Sequence, residues 1–171
     1  IDNPGMTLYL TETIYGVPKI TNDTYAQFAR AEWSNIITSS DGSVATKFKF
    51  NTPILVKPGQ AYAILLSFDG NETFWPWVAK TGNTLVGTNT TFSGTVGNFV
   101  GQYFEYYAMD ASIDPTTATT QAQYKSFWRA LDGTDLKFKV YAARYTINGI
   151  PVSSANLDVT IPIFKGALIE T

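Results

Sequence analysis

Cysteine and histidine are both absent from the 171 residues of this chain. Without thiolate or imidazole groups, the chain cannot build a Cys or His zinc site, a cysteine nucleophile or a Ser/His/Asp relay. These two absences exclude most hydrolase mechanisms. Because no disulfide can form, the composition also favours synthesis in a reducing cytoplasm, where proteins do not rely on disulfides.

The chain has little net charge and no long apolar run. Twelve Lys and Arg against fourteen Asp and Glu give a net charge of −2. The basic residues are scattered, so the electrostatic footprint of a nucleic-acid-binding protein is missing. No apolar run approaches the roughly 18 residues that cross a bilayer, and we predict no membrane insertion. Because the sequence begins with Ile1 rather than Met, we expect a piece of a longer chain.

The composition is that of a folded domain, with 44% hydrophobic and 15% aromatic residues. This content is enough to bury a core, and we predict a single domain over 1–171. The segments near 83–97 and 110–123 are rich in Thr, Gly and Asn and are predicted to be loop-rich insertions. Within the second, the Thr-rich stretch 114–123 is predicted to be an exposed loop.

Apolar residues alternate with polar ones along several segments, which is typical of half-buried strands. Examples are TKFKF (46–50) and DLKFKV (135–140), where lysines occupy the other face. The segment AYAILLSF (61–68) is nearly apolar on both faces and is predicted to be a central strand. The residues predicted to face inward are Phe48, Phe50, Tyr62, Ile64, Leu66, Leu136, Phe138 and Val140.

Turn residues separate these segments. KPGQ (57–60) has Pro and Gly at the positions that a type II turn requires, and Asp-Gly or Asn-Gly pairs occur at 41–42, 69–70, 132–133 and 148–149. Such spacing predicts an all-β fold, an antiparallel, jelly-roll-like β-sandwich with few or no helices. The segment 23–34 fits either a helix capped by Asp23 or a strand, and we favour the strand.

The order of these motifs resembles a module of structural proteins in tailed-bacteriophage virions, from the baseplate and tail-fibre region. The resemblance rests on TLYLTETIYGVP, on TKFKFNTPILVKPGQAYAILLSFDG, on the tryptophan strand that closes at Gly82, on GQYF and on FWRALDGTDLKFKVYAARY. It covers roughly Met6 to Tyr145, and the segments 83–97 and 110–123 depart from it.

The resemblance implies a β-sandwich that acts as a wall or connector in a virion and has no catalytic residues. It places Trp77 and Trp128 in the structural core, whereas Trp75 and Pro76 match no position of the module. It also implies that the partners are other virion proteins, that the full-length protein is a homo-oligomer, and that the location is the virion tail.

Trp75 and Trp77 flank Pro76 and raise a second interpretation. The strand period places both indoles on one face, opposite Phe74 and Pro76, and Pro76 predicts an edge strand or a bulge because it donates no ladder hydrogen bond. Trp75 could therefore stack a sugar or contact a neighbouring subunit, or both indoles could be structural. The residues predicted to bind a ligand or partner are Trp75, Tyr103, Tyr106 and Tyr107.

Carboxylates offer two further interpretations that we disfavour. Glu105, Asp110 and Asp114 could supply a glycosidase pair, and Asp132 and Asp135 could approach a calcium ion. Carboxylates near turns are usually solvated or capping, so we predict no catalytic residue, no metal site and no cofactor. The predicted function is non-enzymatic assembly in a phage tail, baseplate or fibre. The alternative is a carbohydrate-binding module, including one that binds a host-surface glycan.

Overall fold

The structure, a computed structural model, describes residues 5–21, 27–52, 54–70, 74–84, 90–91, 103–107, 114–141, 144–147, 150–153 and 158–165. Within these ranges strands dominate, which confirms the prediction of an all-β, mainly antiparallel fold. The strands are β1 (Gly5–Ile14), β2 (Val17–Pro18), β3 (Phe28–Glu32), β4 (Thr46–Lys49), β5 (Tyr62–Phe68), β6 (Phe74–Pro76), β7 (Val78–Lys80), β8 (Phe104–Tyr106), β9 (Trp128–Ala130), β10 (Thr134–Leu136), β11 (Lys139–Tyr141), β12 (Arg144–Ile147), β13 (Ile150–Ser153), β14 (Asp158–Ile161) and β15 (Ile163–Lys165).

The long strand β1 organises the first sheet. It pairs with β5 along one edge and with β3 and then β2 along the other. The predicted central position of the segment 61–68 is therefore wrong, because β5 has β1 as its one partner in the described part of the chain. Its apolar residues are only half-buried, as suits an edge position, and β1 is the central strand.

A second sheet has the order β11-β14-β4, and it shares one hydrophobic core with the first. Met6 and Leu8 from β1 are fully buried in this core, together with Phe48 from β4 and Val159 from β14. Both sheets thus contribute side chains to one core. The β-sandwich arrangement and its jelly-roll topology stay predictions. The other residues that line or flank this core include Phe50, Tyr62, Ile64, Leu66, Leu136 and Phe138, all of which were predicted to face inward.

Val140 is the exception among the predicted inward-facing residues, because 46% of it is exposed. It pairs with the fully buried Val159 and so belongs to the same face of the sheet. However, β11 has β14 as its one partner among the described strands and lies at the edge of the sheet. The alternation of Leu136, Phe138 and Val140 correctly predicts the face on which Val140 lies. It does not predict that Val140 lies in an edge strand, where it is exposed.

A second, smaller cluster buries Val17, Ala118, Tyr124 and Phe127. The stretch 114–123 is largely exposed, as predicted, but it contains a 3₁₀ turn, Pro115–Thr117, and the start of the helix α1 (Gln121–Ser126). Thr120 and Gln123 form a capping box, which satisfies free backbone N–H groups at the helix start. The helix buries Tyr124 and leads into Phe127, which is 2% exposed. Trp128, predicted to be core, is half-buried against this cluster.

The turn predicted at 57–60 is present, and part of the segment 23–34 forms the strand that the sequence favours. At 57–60, Gln60 N donates to Lys57 O over 3.2 Å, and Gly59 has the positive φ of +76° that a type II turn needs. Of the segment 23–34, residues 28–32 form the strand β3, residues 33–34 begin a 3₁₀ turn (Trp33–Asn35), and 22–26 lie outside the described residues. No helix in the described ranges is long and apolar enough to cross a membrane.

We predict that Phe48→Ala destabilises the fold by about 3–5 kcal/mol, because it removes a fully buried ring from the shared core. Urea unfolding followed by circular dichroism measures the free energy of unfolding. The matched control is Lys47→Ala, next along the same strand and on its exposed face, with an expected change below about 0.5 kcal/mol. Equal losses in the two variants would contradict the location of the core.

Candidate functional site

The Trp75–Trp77 segment crosses from one ladder to another. Strand β6 pairs with β15, whereas β7, beginning one residue after Trp77, pairs with β10. Trp77 bridges the two ladders, since its N–H donates to Pro162 O over 2.9 Å and its carbonyl accepts from Lys137 N over 3.0 Å. Pro76 therefore lies at the end of a ladder, where its missing N–H is tolerated.

The two indoles lie outside the main core. Phe74 and Pro76 are buried, whereas Trp75 and Trp77 are half-buried on the opposite face. Trp77 belongs to neither hydrophobic cluster, so its predicted place in the structural core is corrected. The physical reason is the two-residue period: once Phe74 packs into the core, Trp75 and Trp77 must point away from it. The Nε1 atom of Trp75 is buried and has no hydrogen-bond acceptor within the described structure.

A loop at residues 39–43 holds the indole of Trp77 in place. Trp77 Nε1 donates to Ser39 O over 2.9 Å. Gly42 lies against the indole so closely that an added Cβ would be 3.2 Å from Cγ of Trp77. The carbonyl of Gly42 in turn accepts from Lys137 Nζ over 2.8 Å. This indole is therefore fixed by hydrogen bonds at its edge and by backbone against its ring.

Asp41 orders this loop. Its Oδ1 accepts from Ser43 Oγ over 2.6 Å, from Ser43 N over 2.9 Å and from Ser39 Oγ over 2.9 Å. The bonds from Ser43 are the largest cause, and together these donors lower the pKa of Asp41 from its ordinary value of 3.8 to about 2. The ionised carboxylate therefore stabilises the residue whose carbonyl holds Trp77.

The two indoles lie in a groove with a volume of about 660 Å³. We call it the aromatic groove. Its walls are β6 and β7 on one side, and β8, β9 and the turn after β9 on the other. Leu131 N donates to Tyr103 O over 3.0 Å, which joins that turn to the residue preceding β8. The lining residues used below are Trp75, Trp77, Tyr103, Glu105, Arg129 and Asp132.

Charged side chains of both signs line the aromatic groove. Glu105 and Arg129 are paired residues of β8 and β9 and form an ion pair. Tyr103 lies on the same face of the chain as Glu105, two residues away. Burial, and secondly the negative charge of Glu105, raise the pKa of the Tyr103 hydroxyl. The groove thus combines aromatic rings with hydrogen-bond donors and acceptors, which is the composition of a small-molecule site.

The tyrosines that the sequence groups together lie on two faces. Tyr103 lines the aromatic groove, whereas Tyr106 stacks on Phe127 of the smaller cluster with ring centroids 6.4 Å apart. Tyr107 lies beside Arg129, whose guanidinium carbon is 5.5 Å from the ring centroid. Of the four residues predicted to bind a ligand or partner, the structure therefore brings Trp75 and Tyr103 into one groove and places Tyr106 elsewhere.

The candidate glycosidase and calcium residues are dispersed. Asp114 caps its 3₁₀ turn by accepting from Thr116 N over 2.8 Å, and Asp110 lies outside the described residues. Asp132 lines the aromatic groove, whereas Asp135 lines a separate cavity. In the described ranges, no three Asp or Glu side chains gather as they would around a metal ion.

This separate cavity has a volume of about 450 Å³ and a mainly apolar lining. Tyr62 and Ile64 of β5 form one wall, and Phe138 and the exposed Val140 form the other. We call it the apolar cavity. Asp135 is the carboxylate in its lining, and burial raises the pKa of this group despite a 2.8 Å hydrogen bond from Leu136 N. Because Val140 is exposed, the cavity reaches the surface at the β11 edge.

Comparisons with protein-family models, with curated proteins and with solved structures find no match for this chain.

We predict that Gly42→Ala destabilises the fold by about 1–3 kcal/mol more than Gly59→Ala does. Both glycines have positive φ, +68° and +76°, so both substitutions carry the cost of a left-handed alanine. Only at Gly42 does the new methyl group meet an indole, since nothing lies within 4 Å of a Cβ at Gly59. Urea unfolding measures the difference. Equal losses would show that Gly42 and Trp77 do not pack together.

The pKa of Asp41 predicts an acid dependence with a defined sign. A folded-state pKa of about 2, below the ordinary 3.8, means that the carboxylate stabilises the fold above pH 3.8. This stabilisation is lost as the pH falls from 3.8 through about 2. Asp41→Asn should therefore lower stability at neutral pH and flatten its decline across that window. Urea unfolding at a series of pH values measures the free energy of unfolding. The same dependence on pH in the wild type and in Asp41→Asn would contradict the prediction.

Proposed function

We propose that this chain is a non-enzymatic structural module of a tailed-bacteriophage virion, located in the tail, baseplate or fibre. Its role is assembly through contacts with neighbouring virion proteins, including further copies of itself. The ordered motifs between Met6 and Tyr145 support this proposal. The all-β architecture with a shared core between two sheets is compatible with it, since hydrogen-bonded sheets supply stiffness.

The observation that carries the assembly role is the β11 edge beside the apolar cavity. Two neighbouring residues of this short strand expose apolar side chains, Val140 at 46% and Tyr141 at 49%, on opposite faces. Edge strands of monomeric proteins usually carry charges or are covered, because their free backbone groups invite pairing with another chain. At this edge, Lys139 is the one charge.

A partner strand could use both features at once. Its backbone would extend the sheet beyond β11, and an apolar side chain next to Val140 would enter the apolar cavity between Tyr62 and Phe138. Main-chain hydrogen bonds would supply affinity, and the cavity would supply specificity. This contact would close the two sheets on the side where β5 and β11 are both edge strands.

The experiment introduces Val140→Lys with Tyr141→Lys into the gene in the phage that encodes the chain. We expect peptides of the wild-type chain in purified particles, detected by mass spectrometry. The double variant should fold, with an unchanged circular dichroism spectrum, but should be incorporated about tenfold less, as expected for a loss of about 1.4 kcal/mol in a contact.

The matched control is Leu55→Lys, which also places a charge on an exposed apolar residue, one that is 83% exposed and does not line the apolar cavity. It should be incorporated like the wild type. Absence of wild-type peptides from purified particles would overturn the virion role. Incorporation of the double variant at the wild-type level would instead overturn the β11 contact.

A further inference from the structure

We propose that the aromatic groove is a binding site for a neutral oligosaccharide. This inference goes beyond the assembly role and does not depend on it, because the groove and the β11 edge use different residues. The groove is built from β6, β7, β8, β9 and their connections, whereas the assembly contact uses β5, β11 and the apolar cavity. Tyr103 lines both cavities, but Trp75, Arg129 and Asp132 line only the groove.

The chemistry of the groove matches the two sides of a sugar ring. A pyranose presents C–H groups on its faces and hydroxyl groups around its rim. Aromatic side chains offer a flat apolar surface to the first, and carboxylates and cationic groups accept from or donate to the second. The groove supplies the aromatic surfaces with Trp75, Trp77 and Tyr103, and the polar groups with Glu105, Arg129 and Asp132.

Packing into the large core does not explain why the indoles of Trp75 and Trp77 lie on the groove face. On the opposite face of the same strand, Phe74 joins the large core and Pro76 is buried, whereas neither tryptophan joins that core. Two large half-buried aromatic rings in one concave surface are a feature of ligand sites rather than of ordinary surfaces.

The groove is also rigid at its centre, which lowers the entropic cost of binding. Trp77 is fixed by its Nε1 bond to Ser39 O, by two backbone hydrogen bonds and by the contact of its ring with Gly42. On the other wall, the ion pair of Glu105 with Arg129 fixes both polar groups across a strand pair. The ligand therefore meets a preformed surface.

The balance of charge selects a neutral ligand. Among the residues that the structure describes, the ionised side chains lining the groove are Lys80 and Arg129 against Glu105 and Asp132, two of each sign. A polyanionic ligand would be repelled by the two carboxylates, and a polycationic ligand would be repelled by the two basic groups. In each case this repulsion offsets the attraction to the groups of opposite charge, so neither ligand gains affinity overall. A volume of about 660 Å³ lies within the range of small-molecule sites and exceeds the needs of one ring, which indicates a short oligomer.

The experiment titrates the folded chain with three neutral trisaccharides, namely cellotriose, maltotriose and tri-N-acetylchitotriose, and with the anionic sialyllactose. Isothermal calorimetry measures affinity, and tryptophan emission reports contact with the indoles. We expect at least one neutral trisaccharide to bind with a dissociation constant on the order of 1 mM or lower and to shift the emission, and sialyllactose to bind more weakly.

Three variants locate the site. Trp75→Phe reduces the stacking surface, and Asp132→Asn removes one acceptor charge while keeping an Asn-Gly turn, so each should weaken binding by about tenfold. Tyr141→Ala, at an exposed tyrosine of β11, should leave affinity unchanged while belonging to the surface that the assembly proposal uses. If Trp75→Phe fails to fold, Asp132→Asn carries the test.

Absence of heat and of any emission shift with all three neutral trisaccharides at roughly 10 mM would overturn the proposal. Unchanged affinity in Asp132→Asn would overturn the location, and tighter binding of sialyllactose would overturn the inference of a neutral ligand. None of these results would bear on incorporation into particles, so the two proposals can fail separately.

Discussion

The structure depends on one packing constraint, the burial in one core of apolar side chains from two sheets. Met6 and Leu8 of the first sheet and Phe48 and Val159 of the second are all fully buried in one core. Since each strand has only two faces, every residue that packs into this core fixes its neighbours on the opposite face. The constraint that buries Phe74 also directs Trp75 and Trp77 outward, so core packing creates the aromatic groove.

Trp77 points away from the core, and the loop at 39–43 supplies its local support. Asp41 orders Ser39, and the carbonyl of Ser39 accepts the indole N–H of Trp77. Gly42 allows the backbone to approach the ring because it has no Cβ. A loop that looks like an ordinary Asp-Gly turn in the sequence thus holds a residue 38 positions away.

Two surfaces of different chemistry lie on this framework. The β11 edge with the apolar cavity is apolar and suits a protein strand, because its backbone and side chains can both be used. The aromatic groove combines rings with balanced charges and suits a neutral polyhydroxylated ligand. Under the two proposals, the module joins neighbours along one edge and presents a separate binding surface, which combines the structural and the carbohydrate-binding interpretations of the sequence.

The sequence by itself determined the all-β class, the inward faces of β4 and β5 and the turn at 57–60, because two-residue alternation and turn chemistry are local properties. It also contained the Thr120–Gln123 capping box, a local signal that the Thr-rich composition obscured. Tertiary structure alone decided that Val140 is exposed, that Trp77 lies outside the core and that Glu105, Arg129 and Asp132 line one groove with Trp75. The reason is that alternation assigns a face to a side chain, whereas its burial and its neighbours depend on which strands pair, and pairing is set by contacts between residues far apart in the chain.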